Sequence, residues 1–139
     1  AFKNAKVRLA IVNAINNTGI VKKIMKGFGT PAAQNSPKGY LGYNEMLKPR
    51  YDLGTAKKLM KEAGYEKGFS ITMMAPNNRY VNDYKIAEAV ASMLSKINIK
   101  VDLTTMPKGW IQISSATPND LTKASNGVRK PRHFLGVVL

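Results

Sequence analysis

Asn77-Asn78-Arg79-Tyr80-Val81-Asn82-Asp83 is the run with the most chemical capacity in this sequence. It follows Phe69-Ser70-Ile71-Thr72-Met73-Met74-Ala75, which reads as a strand, and precedes a stretch of helical period. In open α/β sheets ligands bind beyond the carboxyl ends of the strands, and a helix N-terminus placed there offers unpaired backbone N–H groups. Arg79 adds a planar, permanently charged fork suited to a carboxylate; Asn77 and Asn78 can donate or accept, and Tyr80 can stack. The expectation is a bound anionic group near Arg79. The competing reading is a solvated turn, because asparagines favour turns for conformational reasons. Trp110 is a further candidate for a pocket wall, although a lone tryptophan more often fills a core.

Little else in the chain could do chemistry. The 139 residues contain no Cys, which excludes disulfides, thiolate zinc and cysteine nucleophiles, and the single His133 makes a two-histidine metal site impossible. Asp52 is explained by helix capping, and Glu62, Glu66 and Glu88 fall on helix surfaces or ends, so no two carboxylates suggest an acid/base pair. Gly27-Phe28-Gly29 lacks the remaining glycines and the preceding strand of a phosphate loop. Nothing in these residues asks to be an enzyme, and they suggest no cofactor and no metal.

The elements that must hold the Arg79 loop follow from periodicity. Val7, Ala10, Ile11, Ala14 and Ile15 form one face of a helix with Asn4 as its cap. Ile20, Ile24, Met25 and Phe28 form a second, with Thr18 as cap candidate and Gly27 and Gly29 closing it. Residues 29–51 hold three prolines, three glycines and Tyr40, Tyr43 and Tyr51 without period; a loop of that length is usually functional, and its tyrosines argue that it packs across a neighbour. Asp52 caps a third helix with Leu53, Ala56, Leu59, Met60 and Ala63 inward and Gly64 as C-terminal cap. After the Phe69 strand, a helix over 82–97 is buried along Ile86, Val90, Met93, Leu94 and Ile97, and Asn98 takes a left-handed turn into the alternating strand Ile99-Lys100-Val101-Asp102-Leu103-Thr104-Thr105. Strand, helix and strand with short joints make a βαβ unit with parallel strands. Pattern fades after Pro107, leaving 114–139 as a divergent tail, truncated or disordered, beyond a folded part over 1–113.

Charge is the other conspicuous property: 22 Lys+Arg against 8 Asp+Glu give a net +14 and a pI near 10.1. Residues 1–30 carry six bases and no acid, whereas 69–107 carry four against three, so the excess lies away from the most regular part of the chain. Lys22, Lys23 and Lys26 form a small basic patch on helical spacing, and Lys57, Lys58 and Lys61, accompanied by Glu62, look like a solvated face. A small basic nucleic-acid-binding protein is the alternative this charge invites, but no RNP strand, GXXG loop or zinc-finger spacing accompanies it. No stretch approaches the length of a membrane span. The chain opens Ala1-Phe2-Lys3 and reads as an excerpt of something longer that carries any targeting signal elsewhere.

The order of segments resembles a known family. Val7-Arg8-Leu9-Ala10, Ala14-Ile15-Asn16, Gly27-Phe28-Gly29-Thr30-Pro31-Ala32, Tyr51-Asp52, then Ala56-Lys57-Lys58-Leu59-Met60-Lys61-Glu62-Ala63-Gly64-Tyr65, Asn78-Arg79-Tyr80, Ile86-Ala87-Glu88-Ala89-Val90 and Met106-Pro107 with Trp110 are similar to the extracytoplasmic solute-binding proteins of peptide-type ABC importers, over roughly residues 2 to 111. The resemblance implies an α/β, βαβ-containing C-terminal lobe of a type II periplasmic-binding-protein-like fold, with additional helices and a long Pro/Gly/Tyr loop. It implies a monomeric, periplasmic or extracytoplasmic protein that passes a peptide-like, carboxylate-bearing solute to an ABC permease. In dipeptide-binding relatives an arginine before the helix that matches Ile86 meets the ligand carboxylate, and Arg79 is the matching position. The family's ammonium-anchoring aspartate has no counterpart here, since Asp120 lies where the sequence departs from the pattern after Ile113. A folded remnant without binding activity is the remaining alternative.

Overall fold

A computed structural model of the chain describes residues 1–107. Within them the elements run α1 (Ala5–Ala14), α2 (Asn17–Lys23), α3 (Leu53–Glu62), β1 (Phe69–Pro76), α4 (Asp83–Ser95) and β2 (Ile99–Met106). Trp110, His133 and the tail over 114–139 lie outside the described residues.

The Asn4 side chain accepts the Lys6 N–H at 2.9 Å and starts α1, which buries Val7, Ala10, Ile11 and Ala14. Asp52 caps α3 by accepting the Thr55 N–H at 3.0 Å, and α3 turns Ala56 and Met60 inward. These two helices pack together and run antiparallel. The Asp52 N–H donates to the Asn13 carbonyl at 2.9 Å at one end, and Lys6 Nζ meets Glu62 Oε2 at 2.8 Å at the other. Ala10 and Ala56, small residues on the two helices, are both fully buried in the shared core.

β1 and β2 pair in parallel, from Phe69 opposite Ile99 to Pro76 opposite Met106. Alternation places Ile71, Met73, Ala75 and Ile99 in the core, where α4 covers them with Ile86, Ala87, Val90 and Leu94. All belong to one apolar cluster with the buried residues of α1, α2 and α3. Fully burying a side chain such as Leu94 or Ile99 is worth roughly 1.5–3 kcal/mol, so this cluster is what holds α4, and the loop before it, in place. At the strand beginnings the Phe69 ring takes Phe2 and Tyr65 edge-on, with centroids 6.0 and 5.3 Å away.

Three sequence expectations need correction. α2 is capped by Asn16, which accepts the Gly19 N–H at 2.7 Å, and not by Thr18, which already lies inside the helix. Regular α-helix stops at Lys23 and the backbone turns left-handed at Lys26 (φ 52°), so Phe28 leaves the apolar face and stands exposed. The tyrosines of the long loop do not pack as a group: Tyr40 and Tyr51 are exposed and Tyr43 is half-buried. The loop instead closes on itself, Gln34 and Asn44 exchanging two hydrogen bonds of 2.8 and 3.0 Å and the Ser36 hydroxyl donating to the Leu41 carbonyl. Lys57, Lys58, Lys61 and Glu62 do form a solvated face as expected, with Glu62 paired to Lys6 across the helix pair and Lys61 to Glu66 at 3.5 Å.

Candidate functional site

Residues 77–81 form an exposed loop at the carboxyl end of β1, between that strand and α4. Its root is fixed by the Asn77 N–H, which donates to the Met106 carbonyl at 3.2 Å and extends the strand pairing by one bond. Its far end is fixed by Asp83, whose Oδ2 accepts the N–H groups of Arg79 at 2.9 Å and Tyr80 at 3.2 Å while Oδ1 accepts that of Tyr84 at 2.8 Å. Partial burial pushes the Asp83 carboxyl up, but these backbone donors outweigh it and hold it below its ordinary value of 3.8.

The loop is also tied sideways. Asn82 is left-handed (φ 58°) and its side-chain amide donates to the Ile24 carbonyl at 3.2 Å, linking the start of α4 to the end of α2. Asparagine tolerates that conformation better than most residues. The Arg79 guanidinium carbon sits 5.1 Å from the centroid of the Tyr80 ring, a cation–π contact that gives the long side chain a platform. On the next turn the Tyr84 hydroxyl donates to Glu88 at 2.6 Å, and this bond raises the Tyr84 pKa.

The structure therefore brings Asn77, Asn78, Arg79 and Tyr80 into one exposed loop, with Trp110 outside the described residues. It corrects one part of the sequence expectation. The backbone N–H groups ahead of α4 are not open to an incoming anion, because the carboxylate of Asp83 already takes those of Arg79 and Tyr80. What the loop offers an anion from outside is the Arg79 fork on its aromatic support. Asp83 was missed as a positioning residue; its place four residues after Arg79, at the first position of the helix, is the signal that could have found it. Among the described residues no group of three His, Cys, Asp or Glu side chains could hold a metal ion, and no helix is long and apolar enough to cross a membrane.

Comparison with known proteins gives a consistent picture. A family model described as bacterial extracellular solute-binding proteins, family 5, middle region, matches residues 1–127. The glutathione-binding protein GsiB of Escherichia coli is 37% identical over 109 residues, covering 78% of this chain and 21% of GsiB. The periplasmic binding protein DppA of Helicobacter pylori, solved in complex with the peptide STSA, superposes with a TM-score of 0.73 at 36% identity over 81% of this chain and 22% of its own. A dipeptide-binding protein from Pseudoalteromonas sp. SM9913, solved with Met-Leu, gives a TM-score of 0.72 at 32% identity, covering 81% and 24% of the two chains. The chain thus spans about a fifth of the length of the curated relatives it matches. Its α/β architecture is that of the corresponding part of a periplasmic-binding-protein lobe, and these relatives bind solutes instead of transforming them.

Proposed function

Because the chain belongs to family 5 of the bacterial extracellular solute-binding proteins, we propose that it forms part of the C-terminal lobe of a two-lobed protein that captures a small peptide-like solute outside the cytoplasm. That protein hands the solute to an ABC permease. The observation that carries this reading is the Arg79 loop: a guanidinium held on Tyr80, at the carboxyl end of a parallel strand, with its backbone pinned by Asp83. Arg79 takes the carboxylate of the solute, Asn77 and Asn78 supply amide donors and acceptors beside it, and Tyr80 supports the guanidinium. Solute bridging two lobes favours the closed form by its extra contacts there, so one lobe alone holds little affinity.

The test is calorimetry on the two-lobed protein with a mixture of di- and tripeptides, then with their C-terminal amides. Acids should bind and amides bind far more weakly. Arg79→Ala should weaken the acids about tenfold or more, the worth of a hydrogen bond to a charged group. Equal affinity of the variant and the parent for the acids would remove Arg79 from the site.

A further inference from the structure

Beside the Arg79 loop the end of α2 and the start of α4 enclose a groove of about 470 Å³. Its apolar walls are Ile24, Met25, Phe28 and Val81, and its two charged side chains are Lys26 and Lys85. Phe28 and Val81 are 79% and 72% exposed, so most of their apolar surface is open. The groove is held in shape from both sides. Lys26 and Asn82 are left-handed non-glycine residues, and the Asn82 amide to the Ile24 carbonyl joins the two walls. No carboxylate lines it, and neither lysine takes part in an ion pair among the described residues. The two carboxylates of α4 are engaged elsewhere, Asp83 with the loop backbone and Glu88 with Tyr84.

We infer that this groove is a side-chain subsite for the solute, and that it takes a side chain with an apolar stem and an acidic end, as in a glutamyl residue. The inference rests on the reading of Arg79 given above and extends it, since Val81 and Asn82 continue directly from Arg79 and Tyr80 into the groove wall. A methylene stem covers Phe28 and Val81 and removes apolar surface from water, while the carboxylate lies by two ammonium groups that form no ion pair among the described residues. A neutral amide of the same shape gains the first term and loses the second.

The experiment compares Ala-Glu, Ala-Gln and Ala-Leu by calorimetry on the two-lobed protein. Ala-Glu should bind about tenfold more tightly than Ala-Gln, as expected when a hydrogen bond to a charged group replaces a neutral one. The double substitution Lys26→Gln with Lys85→Gln should abolish that preference and leave Ala-Leu unchanged, whereas Arg79→Ala should weaken all three. Discrimination that is absent in the parent, or that survives the double substitution, overturns the subsite and leaves the Arg79 reading standing. Binding of none of the dipeptides overturns both. If Val81→Asp lowers the melting temperature of the solute-free protein without altering the Ala-Glu preference, the groove is an internal lobe contact and the subsite is overturned.

Discussion

Asp83 Oδ2 accepts the backbone N–H of Arg79 at 2.9 Å, four residues back along the chain. A negative side chain thus fixes the backbone of the loop arginine, and the guanidinium itself is left to its contact with Tyr80. The Arg79 amide should report the ionisation of Asp83. In a proton NMR titration its shift should move with a midpoint below the ordinary 3.8, because backbone donors hold the carboxyl there against the opposing effect of burial. A midpoint at or above 3.8 would contradict the hydrogen bond.

Acid should loosen the whole fold in the same range. Asp52 is lowered by the Thr55 hydroxyl, which donates at 2.6 Å, and by the Thr55 N–H; Glu62 is lowered by its bond to Lys6; Asp83 is lowered by its loop. For a carboxyl whose pKa is lower folded than unfolded, the unfolded chain binds the proton first, so the contribution is complete above the unfolded value and is lost as pH falls through the folded one. Urea midpoints should be level above about pH 5 and decline as pH passes below the ordinary values of 4.5 for Glu62 and 3.8 for the aspartates. Stability that rises between pH 5 and pH 3 would refute the assignment.

Two glycines separate conformational from steric cost. Gly64 (φ 78°) and Gly68 (φ 72°) are both left-handed, but a Cβ at Gly64 meets nothing, whereas one at Gly68 runs into the backbone carbonyl of Asn98. Gly64→Ala should cost about 1–2 kcal/mol, the price of the left-handed backbone. Gly68→Ala should cost clearly more, since Asn98 is itself left-handed and held to the Glu66 carbonyl at 2.8 Å. Equal denaturant midpoints for the two variants would remove the close approach.

The cap of α2 can be assigned by substitution. Asn16→Ala should destabilise by about 1 kcal/mol, because it leaves the Gly19 N–H without its acceptor. Thr18→Ala, at an exposed position inside the helix, should stay within about 0.5 kcal/mol of the parent. The opposite order would restore Thr18 as the cap.

Much of the fold was legible where one residue type does one local job. Asn4 and Asp52 cap as their positions suggest, Gly64 and Asn98 take the left-handed turns, and the segment from Phe69 to Ala75 is a strand, with Ile71 and Met73 inward. Phe28 was misread because its spacing from Ile20 and Ile24 is helical, while the chain leaves the helix between them at a left-handed lysine that no propensity favours. Asn16 and Thr18 are both good caps, and only the reach of the amide oxygen to Gly19 chooses between them. The loop that carries Arg79 lies between a strand and a helix as the sequence reads, but the use of Asp83 was not legible, because a carboxylate at a helix start satisfies local backbone donors as readily as it faces a ligand.

The connection from α2 to α3 is pinned at both ends, by the Asn17 amide on the Ala32 carbonyl at 2.9 Å and by the Asp52 N–H on Asn13. Between those two ties its closing bonds are its own, and Leu41 and Met46 at its tip are among the most exposed apolar residues. Closing a longer loop between fixed ends costs only about 0.6 kcal/mol for each doubling of its length. The tip near Gly42 is therefore a place where lineages can insert or delete residues without disturbing the helices on either side. It is also where a fluorescent reporter can be grafted, well removed along the chain from the Arg79 loop.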